Sequence, residues 1–256
     1  MKYTIYFVVY LFTTLNAQKM TIPEGAYCDP ATGLCTPAPI GETTEKVELQ
    51  TGIEIIYVGD PMCSWCWGIS PELNRLATAA NNNGIEYRIA LGGLRPGGGD
   101  PWNEQFKNFL RHHWEEVNKR SGQPFGEKLF ERESFNYNTE PACRAVVCAR
   151  QLAPELEGRF FELVQHYFYV RNEDPNEVTF YEPICKELGV DFERFKLLFE
   201  SDELRWLTAR EFRQSREWGV RGFPTVLLRQ DQDIQVIARG YADFMTMWNR
   251  IEEAQQ

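Results

Sequence analysis

The chain has 256 residues, of which 43% are hydrophobic and 25% charged. That composition is ordinary for a soluble globular protein, and the length suffices for a buried core in one large domain or two small ones. The net charge of −10 argues against nucleic acid or anionic lipid as the main partner.

The first residues carry a targeting pattern. Lys2 precedes an apolar run from Ile5 to Phe12, followed by Leu15-Asn16-Ala17. A basic start, a short apolar core and a small residue at the end read as a secretory signal over 1–19. The run is shorter than the about 20 apolar residues of a membrane-spanning helix, and no later segment reads as membrane-embedded. The leader implies a periplasmic or secreted protein, whereas a start at Met20 implies a cytoplasmic one. Residues 20–52 read as a tail. Pro23, Pro30, Pro37 and Pro39 break regular structure there, and the polar stretch from Gly41 to Glu48 reads as a tether.

The folded part starts at Ile53. The β-branched, apolar segment from Ile53 to Val58 has the pattern of a buried strand, ended by Gly59-Asp60-Pro61. Leu73, Leu76, Ala77 and Ala80 then share one helix face. Pro71 should kink that helix, and Asn83-Gly84 should close it. Ile85, Tyr87, Ile89 and Leu91 alternate with Glu86, Arg88 and Ala90, which is strand periodicity. Residues 53–91 therefore form a β–α–β unit with parallel strands and a right-handed crossover.

After a Gly/Pro loop over 95–101, the pattern is almost wholly helical to Trp218. One stripe runs through Trp102, Phe106, Phe109, Leu110, His113 and Val117. A second takes Leu156, Phe160, Leu163, Val164 and Tyr167. A third takes Tyr181, Ile184, Cys185 and Leu188, with Phe192, Phe195 and Phe199 behind it. Ser201 reads as the N-cap of a last helix. Strands then return. Thr225–Leu228 and Ile234–Ala238, joined across Asp231-Gln232-Asp233, read as an antiparallel hairpin. A closing helix runs from Ala242 to Ala254 through Phe244, Trp248 and Ile251.

Seven cysteines stand at 28, 35, 63, 66, 143, 148 and 185. The stretch Asp60-Pro61-Met62-Cys63-Ser64-Trp65-Cys66-Trp67-Gly68 follows a strand and opens a helix. Helical residues three apart are about 60° apart around the axis, so Cys63 and Cys66 can close and open a disulfide with little backbone movement. Cys63 falls at the helix N-terminus, where free amides and the helix dipole favour a thiolate. Since the thiolate is the attacking species, Cys63 reads as the nucleophile and Cys66, one turn inside, as the resolving thiol. The redox-active disulfide is itself the centre, and no cofactor is expected. The same spacing is half of a zinc site, which requires two more ligands. Cys28 and Cys35, seven apart, are wider than the usual zinc knuckle, and the strand-then-helix context favours redox chemistry. A zinc- or copper-binding thiolate protein is the alternative from a different class.

A second signal lies at Gly222-Phe223-Pro224-Thr225, where a proline opens a strand. A C-x-x-C after the first strand, a β–α–β unit, a large helical block and an X-Pro opening the next strand together resemble the DsbA-like branch of the thioredoxin superfamily. The likeness is greatest to the FrnE-type predicted protein-disulfide isomerases, and it covers residues 53–254. The resemblance implies an α/β thioredoxin-like fold, with 53–94 and 219–256 as the thioredoxin-like domain and 95–218 as an all-helical insertion. It implies a cis Phe223–Pro224 bond facing Cys63, with the Phe223 backbone available to an extended substrate. It also implies protein or small-molecule thiols as substrates and a redox partner protein. A glutathione-linked isomerase or transferase on the same fold is a further alternative, but such enzymes carry Ser at the position of Cys63.

The dipeptide Ser64-Trp65 departs from the Pro-His, Gly-His or Gly-Pro of the prototypes. No histidine stands between the cysteines, so helix amides must supply any acidity of Cys63, which predicts an intermediate potential. Trp65, Trp67 and Thr225 are candidates to border a substrate groove. Cys28 and Cys35, around Pro30 and Gly33, are a candidate second redox or structural pair. Cys143 and Cys148 are five apart. On a helix they are about 140° apart, so they should not bond to each other, and core packing is expected for them and for Cys185. His112, His113 and His166 have no metal-ligand partner at useful spacing, and His113 is expected in the core.

Overall fold

The computed structural model describes residues 27–29, 34–36 and 52–255, the first two segments by their backbone alone. The leader over 1–19 lies outside the described residues. The prolines of the tail predict no regular element, yet Tyr27–Asp29 (β1) pairs antiparallel with Leu34–Thr36 (β2). Pro30 and Gly33, the tail's turn-forming residues, fall between the two strands rather than within them.

Residues 50–256 form one compact unit. Its centre is a four-stranded sheet in the order β4-β3-β5-β6. The strands are β3 (Ile53–Gly59), β4 (Glu86–Leu91), β5 (Thr225–Gln230) and β6 (Asp233–Arg239). Strand β4 runs parallel to β3, as the β–α–β reading requires, and β5 and β6 run antiparallel to their neighbours. Alternation divides β3 between two cores. Ile55 and Tyr57 face the larger core, and Ile56 and Val58 face a smaller one with Ala90, Val220 and Leu227. Glu54 is buried on β3 and pairs with Arg88 of β4 at 2.9 Å and Arg229 of β5 at 2.7 Å, so one carboxylate ties three strands.

The helices are α1 (Ser64–Asn82), α2 (Glu104–Ser121), α3 (Glu140–Leu152), α4 (Glu157–Tyr169), α5 (Glu182–Leu188), α6 (Phe192–Phe199), α7 (Asp202–Glu217) and α8 (Phe244–Ala254). Polar side chains start several of them. Asn103, Asp191, Ser201 and Asp243 each accept the backbone N–H three residues on, at the heads of α2, α6, α7 and α8. Helix α3 is buried along almost its whole length, from Pro141 to Ala149, and is the hub of the helical block. Phe160 of α4 is fully buried beside the rings of Tyr181 and Phe195.

Three expectations require correction. Residues 95–218 are not wholly helical. Gly122, in the left-handed region at φ 76°, ends α2, and the chain to Thr139 holds only a 3-10 turn at Lys128–Glu131. Phe130, Phe135 and Tyr137 are buried there by tertiary contacts and without helical periodicity. On α2 the buried face is Leu110, Trp114 and Val117. Phe109 and His113, each one position off that face, point outward. Phe109 is 46% exposed, and His113 is half-buried, with a ring nitrogen bonded to Phe109 O at 2.9 Å. In α8, Met247 and Ile251 make the buried contacts, while Phe244 and Trp248 stack on each other at the rim. Among the described residues no helix is long and apolar enough to cross a membrane.

Truncating Phe160 to Ala removes a ring from the centre of the helical block. The expected loss is about 3–5 kcal/mol, read as a lower urea midpoint with an unchanged slope.

Candidate active site

The site forms where β3 ends and α1 begins. Asp60, the first residue after the strand, is fully buried. Its carboxylate accepts the N–H of Met62 at 2.8 Å and that of Leu94 at 2.6 Å. The Cys143 thiol donates to the same carboxylate at 3.4 Å, and the Thr139 hydroxyl is a further donor. Burial pushes Asp60 above the usual carboxylate range, and the four donors offset only part of that shift. The Asp60 carbonyl also accepts the Cys63 N–H at 3.0 Å. Tyr137, itself buried, donates its hydroxyl to Met62 O at 2.8 Å. The Met62 amide is thus held by Asp60 within the turn, and its carbonyl by Tyr137 from a distant segment.

Cys63 is the N-cap of α1, in extended conformation, and its side chain caps nothing. This sets α1 apart from the four helices whose N-cap side chains are engaged. Its first-turn amides are free donors, and a sulfur anion at Cys63 would meet them. The Cys63 sulfur donates to the carbonyl of Phe223 at 3.6 Å, and Phe223–Pro224 is a cis peptide bond. The Phe223 ring passes over Gly92, where an added Cβ would fall 1.9 Å from it. Glycine at 92 is therefore what lets this loop approach. Cys66 sits beside Cys63 and is fully buried. Burial pushes its thiol well up, and neighbouring Cys63 adds to the effect. Cys63 is only 5% exposed. The expected contrast between an open nucleophile and a buried resolving thiol is thus a narrow one, and in this dithiol state Cys63 lies under the Phe223 carbonyl.

The other expected residues separate into two groups. Trp65 is half-buried and packs edge-on against Tyr241, at 6.4 Å between centroids, next to Cys63. Trp67 borders a cavity of about 380 Å³ together with Ser70, Pro71 and Gln123, whose lining does not include Cys63. It is 7% exposed, stacks on Tyr169, and gives its indole N–H to Pro124 O at 3.0 Å. Its ring is held by these contacts with the helical block. Thr225 is 3% exposed, and its hydroxyl donates to Gly222 O at 2.8 Å, so the side chain braces the proline loop rather than reaching a ligand. Pro71 lies within α1, which runs on to Asn82. The carbonyl it leaves without an amide partner, Trp67 O, accepts Ser70 Oγ at 2.9 Å and Gln123 Nε2 at 3.1 Å.

Cys143, Cys148 and Cys185 are buried thiols, as expected of core packing. The register of β1 and β2 sets Cys28 directly opposite Cys35, while their side chains lie outside the described residues. Asp60, Tyr137 and Gln123 were not singled out by sequence reasoning. The one available signal was Asp60 itself, a charged residue ending an apolar strand beside a C-x-x-C.

Replacing Asp60 by Asn tests the anchor. Because the folded chain holds the Asp60 proton more tightly than the unfolded chain, this group's contribution to stability is full below its ordinary value near 3.8. The contribution declines as pH rises through the folded value. Asn has one acceptor oxygen for two backbone N–H groups, so the variant should be less stable by about 1–3 kcal/mol. That gap should narrow as pH rises above the ordinary value near 3.8 in paired urea titrations.

Comparison with known proteins agrees with this geometry. Residues 54–251 match the model of the DSBA-like thioredoxin domain. A solved structure of a candidate protein disulfide isomerase from Nitrosomonas europaea is 31% identical, covering 80% of this chain and 98% of that one, with a TM-score of 0.72. The cytosolic disulfide reductase DsbM of Pseudomonas aeruginosa is 27% identical over 79% of this chain and 98% of its own, with a TM-score of 0.65. SpxH, a ClpXP adapter protein of Shouchella clausii, is 20% identical over 210 residues, which are 80% of this chain and 67% of SpxH. With a strand-to-helix C-x-x-C facing an X-Pro carbonyl and a family match over most of its length, the chain belongs to the DsbA-like thioredoxin family and is a thiol–disulfide oxidoreductase.

Proposed function

We propose that Cys63 and Cys66 are the redox pair, exchanging disulfides with protein or small-molecule thiols. The observation that carries this reading is the juxtaposition at Cys63: helix N-cap, neighbour of the Cys66 sulfur, and hydrogen-bond donor to Phe223 O. In the oxidised form a substrate thiolate attacks the Cys63 sulfur, and the Cys63–Cys66 bond breaks to leave a Cys66 thiolate. That thiolate, or a second substrate thiol, then resolves the mixed disulfide. The reverse sequence reduces a substrate, and cycles of both isomerise one. An extended substrate would take the Phe223 backbone in place of the Cys63 thiol. Trp65 with Tyr241, and Leu94 at 39% exposure, supply apolar surface beside it.

Single-cysteine variants test the pair. Cys63→Ser should abolish thiol-dependent reduction of a disulfide substrate such as insulin. Cys66→Ser should keep attack at Cys63 but accumulate mixed disulfides, visible on non-reducing gels. Turnover retained in Cys63→Ser would overturn the assignment.

Cys28 and Cys35 enter the proposal as a separate disulfide. Directly opposed residues of an antiparallel pair have Cα atoms about 4.5–5.5 Å apart, inside the range a disulfide requires. Their register supports a bond closing the short loop between them. Peptide mapping of protein isolated without reductant should find the two in one linked peptide, lighter by two hydrogens than after reduction. Free thiols at both positions would sink the idea.

A further inference from the structure

Tyr57 is a buried group that the exchange chemistry has not so far employed. It lies on β3, on the face of the larger core, and is almost entirely enclosed. Its hydroxyl has no hydrogen-bond partner among the described residues. A buried hydroxyl without a partner costs stability, so phenylalanine would be the cheaper residue if packing alone mattered. The ring is held on one side by Phe161, edge-on at 5.8 Å. It extends along the strand over Gly59, where an added Cβ would come within 2.2 Å of the Tyr57 oxygen. Glycine at 59 thus opens the space that lets the hydroxyl reach the end of β3.

Tyr57 and Cys66 are buried in the same core and interact electrostatically. A negative charge on Cys66 would hold the Tyr57 proton in place, and the Tyr57 O–H would favour that charge. The Cys66 sulfur otherwise meets Cys63 and the Asp60 backbone N–H. The other ionisable groups coupled to Tyr57 are Cys63 and Tyr87. As a neutral thiol, Cys66 leaves the hydroxyl unpartnered; as a thiolate it is the acceptor that the hydroxyl lacks.

We propose that Tyr57 is the hydrogen-bond donor that stabilises the Cys66 thiolate during resolution of the mixed disulfide. The inference rests on Cys66 being the resolving thiol. In that step the Cys66 sulfur bonds to the Cys63 sulfur, and the bond between Cys63 and the substrate sulfur breaks. Cys66 is oxidised, the substrate sulfur is reduced, and the proton lost by Cys66 ends on the departing substrate thiol. Tyr57 keeps its own proton throughout and donates only a hydrogen bond. In the reducing direction it acts on the resolving half alone, since initial attack by Cys63 does not require a Cys66 anion; in the oxidising direction the same hydrogen bond stabilises Cys66 as the leaving thiolate.

The test compares wild type with Tyr57→Phe, which removes the oxygen and keeps the ring. Cys63 is loaded as a mixed disulfide with a chromogenic nitrobenzoate thiol, and release of that thiol is followed across pH. Release should slow by about tenfold to a hundredfold, as loss of a hydrogen bond to a charged group implies. Its pH profile should move to higher pH. Alkylation of Cys63 should change less than about twofold, because only the Cys66 anion depends on Tyr57. The variant should also be as stable as wild type or more so. Equal release rates and profiles in a folded Tyr57→Phe protein would overturn the role of Tyr57. If the Phe variant fails to fold, Gly59→Ala, whose Cβ claims the hydroxyl's position, should give the same slowing, and normal release there would overturn the proposal. Failure of wild type itself to release the thiol would instead defeat the assignment of Cys66.

Discussion

The buried carboxylate of Asp60 is the point on which the active site depends. A charged side chain at the end of an apolar strand is expensive to enclose, and its neighbours explain why it is there. It gathers the Met62 amide from the turn before the cysteines, the Leu94 amide from the loop after β4, the Thr139 hydroxyl, and the Cys143 thiol of α3. Those donors come from sequence positions far apart, so the carboxylate joins the sheet, the cysteine turn and the helical block. The Thr139 oxygen in turn accepts the Arg95 N–H. Without a common acceptor, these backbone groups would be buried without partners.

From that anchor the remaining geometry follows by close approach. Two glycines act at the ends of adjacent strands, each because a ring occupies the place of its missing Cβ. Gly92 admits the Phe223 ring and with it the carbonyl that receives the Cys63 thiol, and Gly59 leaves room for the end of the Tyr57 side chain. The helix that carries both cysteines begins without a side-chain cap, leaving its amides facing the sulfur position. Its continuity through Pro71 relies on Ser70 and Gln123 taking up the orphaned Trp67 carbonyl. The head of α1 and its continuity therefore depend on separate groups: uncapped amides at the head, and Ser70 with Gln123 further along.

Much of this architecture was legible from local pattern. The alternation in Ile53–Val58 and Ile85–Leu91, the helical stripe between them, and the hairpin around Asp231 are nearest-neighbour signals, and each stands in the structure. The N-cap at Ser201 and the buried Phe160, Val164, Phe195 and Phe199 are of the same kind. Pattern reading failed where burial comes from elsewhere in the chain. Phe135 and Tyr137 are core residues in an irregular segment, and His113, on an apparent apolar stripe, faces outward because Trp114 defines the true buried side.

By itself, the sequence determined the β–α–β frame, the helix that begins at Cys63, and the proximity of Cys63 to Cys66, because strand and helix periods and a three-residue spacing are local geometry. Only the tertiary structure decided which groups surround that pair. The contact of Cys63 with Phe223 spans 160 residues, and that of Asp60 with Cys143 spans 83. The withdrawal of Trp67 into the core likewise depends on Tyr169 and Pro124. Such contacts arise from packing distant elements into one core, and no local period encodes them.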